Sequence, residues 1–282
     1  MAREHSAELG PEPLAVYTQR GLEAALRLPS GGDADAREIR LYHRQGAEFV
    51  VDGHAGRPIR AMGESDVTVR NGGRITVDES ATVRAENSTV DCVGGYVMMV
   101  GGSARVSGGT VSAFNPVRPL ICTGGKTYGW GTFTAVVSGG TFHSRENGTV
   151  HASGQAVVVA TDGTVRANGG TVYAWGPASV YIVAGTVHGH EEARIDATGH
   201  GVTGAGAGDS RATVVGRGCW IKAGGTAHVT ALAGSTVIAT DSATVDADET
   251  CTVYTVGGDV RVLNTVPTPV AIAGMESVKF PR

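Results

Sequence analysis

The chain has 282 residues and 41% hydrophobic content, enough for a sizeable core; its 43 glycines show no Gly-X-Y period, which excludes collagen. A formal net charge of -4 and a pI near 6.1 argue against a nucleic-acid binder that works through a basic face. No long apolar run and no apolar signal core after MAREHSAELGPEP are present, so the expectation is a cytoplasmic or virion-associated protein with no membrane and no nucleic-acid partner.

Residues 13–28, PLAVYTQRGLEAALRL, place Leu22, Ala25 and Leu26 at helical spacing, and Pro29 with Gly31 and Gly32 provides a stop. This predicts a helix that caps an open strand edge. IRLYHRQGAEFVVDG and RPIRAMG then read as first strands. A series of apolar residues follows: Val67, Ile75, Val83, Val90, Met98, Val106. Residues 114–131, FNPVRPLICTGGKTYGWG, interrupt it and read as a long excursion carrying Lys126, Tyr128 and Trp130.

From Phe142 the series becomes regular: Val150, Val158, Val165, Val172, Val180, Val187, Ile195, Val202. After a second interruption at 203–211, TGAGAGDSR, it resumes as Val214, Ile221, Val229, Val237, Val245 and Val253. Thr-Val pairs favour strands, and Gly, Asn or Asp stands between the repeats where turns are needed. The long series advances by steps of seven or eight, and three steps sum evenly to 22 or 23 residues. A short fixed period marks a chain that coils on itself. The even sums predict three strands per coil; a two-sided coil would need about 15 residues. Pro267 and Pro269 end the ladder. Cys92, Cys219 and Cys251 stand two residues from a member of the series, so they face inward as buried, unpaired thiols, and no zinc spacing is present.

A short amphipathic helix, an AEFVVDG strand and Gly-punctuated coils resemble the pectin-lyase-like right-handed β-helix superfamily. DSATVDA at 241–247 resembles the eight-residue DSATV repeats of actinobacterial and actinophage proteins. The resemblance spans residues 14–262. It implies an all-β, single-stranded right-handed parallel β-helix with three strands and about 22–24 residues per coil, capped by an N-terminal helix. The corresponding segments are 1–62 for the tail, helix and first strands, 63–262 for the β-helix, and 263–282 for a C-terminal cap.

Three-sided stacking puts His143, Arg166 and His188 in one outward row, suited to an anionic sugar or to proton transfer. A Thr column (Thr141, Thr164, Thr186, Thr213, Thr236) would run beside it without the second Thr column that ice binding needs. Tyr128, Trp130, Trp175 and Tyr181 would line a groove against a third face, where aromatics stack on sugar rings. The acidic ligands and grouped Asp residues of pectin-lyase-like enzymes have no counterpart at matching positions. HGHEEARIDATGH (188–200) gathers histidines and carboxylates without a defined third ligand, and GAGAGDS lacks the rest of a phosphate loop. No metal and no cofactor is expected. Two readings stay open. One is a non-catalytic scaffold or carbohydrate- or surface-binding module, with phage association. The other is a carbohydrate-active lyase or hydrolase, or a β-helical isomerase or epimerase, that uses a groove on the outer face with His143, Arg166 and His188. The expected partner is a saccharide or another extended ligand, and trimers or filaments are a third option.

Overall fold

The computed structural model describes residues 12–28, 37–43, 48–53, 57–198, 212–263 and 270–271. The chain is an all-β parallel solenoid with a helix at Gln19–Leu26, consistent with a right-handed parallel β-helix. It forms two compact units, Met1–Arg118 and Pro119–Arg282. Apart from Leu14–Val16 and Thr141–Ser144, which pair with the next strand, each short strand pairs in parallel with the second strand after it, and Thr149–Ala160, Thr164–Ala174 and Ser179–His190 each run through both walls, so the coils have two walls rather than three.

In the N-terminal unit the first wall holds Leu14–Val16, Ile39–Tyr42, Ile59–Met62, Arg74–Val77, Thr89–Cys92 and Ser103–Val106. The second wall holds Glu48–Asp52, Asp66–Arg70, Thr82–Glu86, Tyr96–Val100 and Thr110–Phe114. In the C-terminal unit the first wall runs from Leu120–Cys122 and Thr134–Val137 through 149–152, 164–168 and 179–184 to Arg194–Ala197, Trp220–Ala223, Thr236–Thr240 and Thr252–Val256. Its second wall runs from Lys126–Trp130 and Thr141–Ser144 through 157–160, 171–174 and 186–190 to Thr213–Arg217, His228–Leu232, Thr244–Ala247 and Arg261–Leu263.

This corrects the predicted winding. Phe142 lies beside Val158, not Val165, and Val150 lies beside Val165, so a coil takes about 15 residues rather than 22–24. The reason lies in the size of the inward side chains. Each strand turns in a Val and, two residues on, usually an Ala: Val150 and Ala152, Val165 and Ala167, Val172 and Ala174, all at most 4% exposed. Two sheets facing each other about 10 Å apart can be filled by such residues. A triangular bore would need bulkier ones.

The apolar series itself is the core. From Phe142 to Ile195 and from Val214 to Val253 its described members are at most 4% exposed; Val202 lies outside the described residues. The one displaced member is Met98, which faces out at 41% exposure while Val97 and Met99 are fully buried. The coil from Val83 to Val97 is shorter than the preceding one from Val67, which shifts the register. Cys92, Cys122, Cys219 and Cys251 are all buried, and none forms a disulfide among the described residues. Burial pushes the Cys122 and Cys219 thiols up to about 11, leaving them protonated at neutral pH.

Glycines let the arcs stack where the chain passes between walls. A Cβ on Gly170 would lie 2.4 Å from the Ala156 carbonyl oxygen, and one on Gly185 would lie 2.4 Å from that of Gly170; both residues have positive φ.

The predicted helix is shorter at its start. Leu14–Val16 is a strand on the first wall, paired with Leu41 and its neighbours, and Thr18 caps the helix by accepting a hydrogen bond from the Gly21 N–H. Leu22 and Ala25 are buried, whereas Leu26 is exposed. Gln19 carries the capping role: its Oε1 accepts the Val50 N–H at 2.9 Å and its Nε2 donates to the Val50 carbonyl at 3.2 Å. A side-chain amide thus satisfies the backbone of the strand Glu48–Asp52. The ladder begins before residue 63, since Ile39 already pairs with Ile59. The stop at Pro29–Gly32, the 203–211 interruption, and Pro267 and Pro269 lie outside the described residues, as does most of the 263–282 segment.

Candidate functional site

Two walls redistribute every outward residue. On the second wall of the C-terminal unit, register places Tyr128, His143, Val159, Tyr173, His188 and Val215 in one column, each one coil from the next. Two residues along each strand, Trp130, Arg145, Thr161, Trp175 and His190 form a flanking column. On the other side stand Lys126, Thr141, Val157, Thr171 and Thr186. The first wall carries a different outward column: Val136, His151, Arg166, Tyr181, Asp196 and Lys222.

The expected row of His143, Arg166 and His188 therefore does not exist. His143 and His188 face out from the second wall and Arg166 from the first. Three coils separate the two imidazoles, about 14 Å at the usual strand spacing, far beyond the reach of a shared proton. The Thr column likewise divides: Thr141, Thr186 and Thr213 belong to one wall, Thr164 and Thr236 to the other. Of the four aromatics, Tyr128, Trp130 and Trp175 share the second wall. Tyr181 stands on the first, where the Arg166 guanidinium lies 5.9 Å from its ring centroid. Residues 114–131 are no long excursion, because they contain the strands Leu120–Cys122 and Lys126–Trp130. Tyr128 and Trp130 belong to the sheet itself rather than to loops around it.

What the second wall brings together is a set of stacked rings. Tyr128 stacks on His143 with centroids 4.6 Å apart and on Trp130 at 5.7 Å. Tyr173 stacks on His188 at 4.9 Å and lies 6.0 Å from Trp175, which stacks on His190 at 5.2 Å. Interplanar angles of 9° to 17°, with centroids about one coil spacing apart, set the rings of successive coils face to face. Tyr173 was readable as a strand residue, but only the two-walled register makes it the centre of a four-ring cluster.

The electrostatics differ between the two stacks. Lys126 places its ammonium 5.1 Å from the Tyr128 ring centroid, and Arg145 extends from the same coil as His143. Burial first, and then the charges of Lys126 and Arg145, hold His143 below the usual histidine value, so its imidazole is neutral at pH 7. Its Nε2 is buried without a hydrogen-bond partner. Beside His190 the chain instead turns through Glu191 and Glu192, both exposed. His188 and His190 are committed to ring stacking, and among the described residues no group of three or more His, Cys, Asp or Glu side chains is placed to hold a metal ion. His200 and the GAGAGDS stretch lie outside the described residues. Also among the described residues, no helix is long and apolar enough to cross a membrane.

No family model, no curated protein and no solved structure matches the chain.

Proposed function

We propose that the protein is a non-catalytic, carbohydrate-binding β-solenoid whose ligand lies on the second wall of the C-terminal unit. One observation carries this reading: seven aromatic or imidazole rings gather on that wall within five consecutive coils, outside the core. Rings combined with hydroxyls and cations suit a ligand that has both apolar C–H faces and hydroxyl edges. Thr141, Thr171, Thr186, Lys126 and Arg145 supply the polar groups along the same wall. A rigid sheet holds these side chains without loss of loop entropy on binding. A hydrolase or lyase reading has less support, because His143 and Arg166 face out from different walls and the exposed carboxylates of Glu191 and Glu192 lie in the turn after His190, at one end of the ring columns.

The test is an array of immobilised oligosaccharides probed with the full chain, followed by titration of the best-retained sugar. Saturable binding that Trp175→Ala weakens, with no new reducing ends or unsaturated products, supports the reading. Failure to retain any sugar, or turnover of a bound one, overturns it.

A further inference from the structure

The ring ladder has one gap. Between His143 and Tyr173 the central position is Val159, and between Arg145 and Trp175 the flanking position is Thr161. Every other central position from Tyr128 to His188 carries a ring. We infer that this gap is a ring-binding notch, in which one saturated sugar ring enters edge-first and is stacked on both faces. The inference rests on the carbohydrate reading above and specifies where and how the ring is held.

The width sets the ligand class. His143 and Tyr173 are two coils apart, about 9.6 Å at roughly 4.8 Å per coil. A flat aromatic ring contacting both sides at about 3.5–4.0 Å needs only about 7–8 Å and would leave slack. A puckered saturated ring has carbons above and below its mean plane and takes up the remainder. The two sides also offer what a sugar presents. Tyr173 and Trp175 are covered on one face by His188 and His190, so their other faces look into the notch. His143 is covered on one face by Tyr128 and has its other face on the Val159 side, with its Nε2 buried and without a hydrogen-bond partner until a ligand displaces what covers it. Val157, Val159 and Thr161 form a short floor, and Arg145 stands at the rim where ring hydroxyls would emerge. Because His143 is neutral, it meets a C–H face without an ammonium-like hydration shell to strip.

Filling the notch tests the inference. Val159→Phe would continue the ladder from His143 to Tyr173, and Val215→Phe adds the same bulk beyond His188 on the same wall. Titrations use the oligosaccharide best retained by the wild-type protein on the array, and thermal melts establish that both variants fold. Val159→Phe is expected to weaken binding about tenfold or more, the loss of two ring contacts, while Val215→Phe changes it less than about twofold. Unchanged binding in Val159→Phe overturns the notch, and if Trp175→Ala still weakens that sugar the carbohydrate reading survives alone. If the wild type retains no sugar, or if the flat probe p-nitrophenol occupies the site in preference to any sugar, the notch as proposed here falls as well.

Discussion

The two units are built on the same kind of interior and wear different exteriors. On the N-terminal unit a group of outward charges is paired, beside exposed apolar residues such as Tyr96, Met98 and Val100. Glu38 takes Arg40 and Arg60 at 2.8 Å, Arg60 also reaches Asp78 at 2.8 Å, Arg74 meets Asp91 at 2.8 Å, and Arg70 meets Asp52 at 2.9 Å. On the second wall of the C-terminal unit the outward positions carry stacked rings, and Lys126 and Arg145 have no carboxylate within ion-pair distance among the described residues. Inward residues must fill a fixed gap and so are nearly uniform, whereas outward positions are free to vary. A surface whose charges are satisfied internally has little left for a partner. A surface with unpaired cations and open ring faces has a great deal.

The strongest check on that comparison concerns the part the units should share. Phe49 and Phe142 are both fully buried, one in each unit. Truncating either to Ala should cost about 3–5 kcal/mol in chemical denaturation. Similar losses support a common core; a loss well under 1 kcal/mol in one of them would mean that the two interiors are not equivalent.

Tyr173→Ala comes next. Its ring neighbours are Trp175 and His188, and aromatic pairs contribute about 0.5–1.5 kcal/mol each, so a loss of about 1–3 kcal/mol is expected. The loss should be the same at low and at high salt, since the contact is not between ions. A strongly salt-dependent loss would mean that the ladder is held by charge, and the contrast between the units would fail.

The interior was legible in the sequence because burial leaves a repeating mark. The described members of the Val and Ile series from Phe142 onward are core residues, as are the inward cysteines. The number of walls was obscured, because steps of seven and eight sum evenly in threes even when the true circuit is two. The Val-x-Ala text of each strand held the better clue: side chains that small do not fill a triangular bore. The exterior was barely legible for the same reason. An error in the circuit leaves each residue's inward or outward sense intact but scrambles which outward residues are neighbours, so Tyr173 was separated from His188 and Arg166 was joined to His143. Gln19 left no signal, since an amide that pairs with a strand edge looks like any polar residue on a helix.

Arg60→Ala should have a smaller effect than Tyr173→Ala, about 1 kcal/mol or less, and high salt should erase it. The network also has a pH signature. Burial opposes ionisation of Glu38, but the hydrogen bonds and charges of Arg40 and Arg60 outweigh it and hold the carboxyl below its ordinary value. A depressed carboxylate contributes stability above its unfolded pKa, near 4.3, and loses it as pH falls through the folded value. Melts of wild type and Glu38→Gln should therefore differ at pH 7 and converge only once the pH has fallen below the folded value, itself under the ordinary one. A gap that widens on acidification would refute the assignment.

The smallest effect is read at one imidazole. Burial and the two unpaired cations depress His143, so its titration by NMR should have its midpoint below the ordinary value near 6.5. For a base depressed in the folded state, the unfolded chain takes up the proton first. The stability tied to neutral His143 is thus complete above about 6.5 and declines as pH falls through the folded midpoint. Arg145→Ala removes one cation and leaves the stack on Tyr128 in place, so the midpoint should rise without reaching the ordinary value, because burial remains. A midpoint unmoved by both Arg145→Ala and Lys126→Ala would show that no positive field exists at the notch, and the rim chemistry that separates this wall from the paired one would have to come from the rings alone.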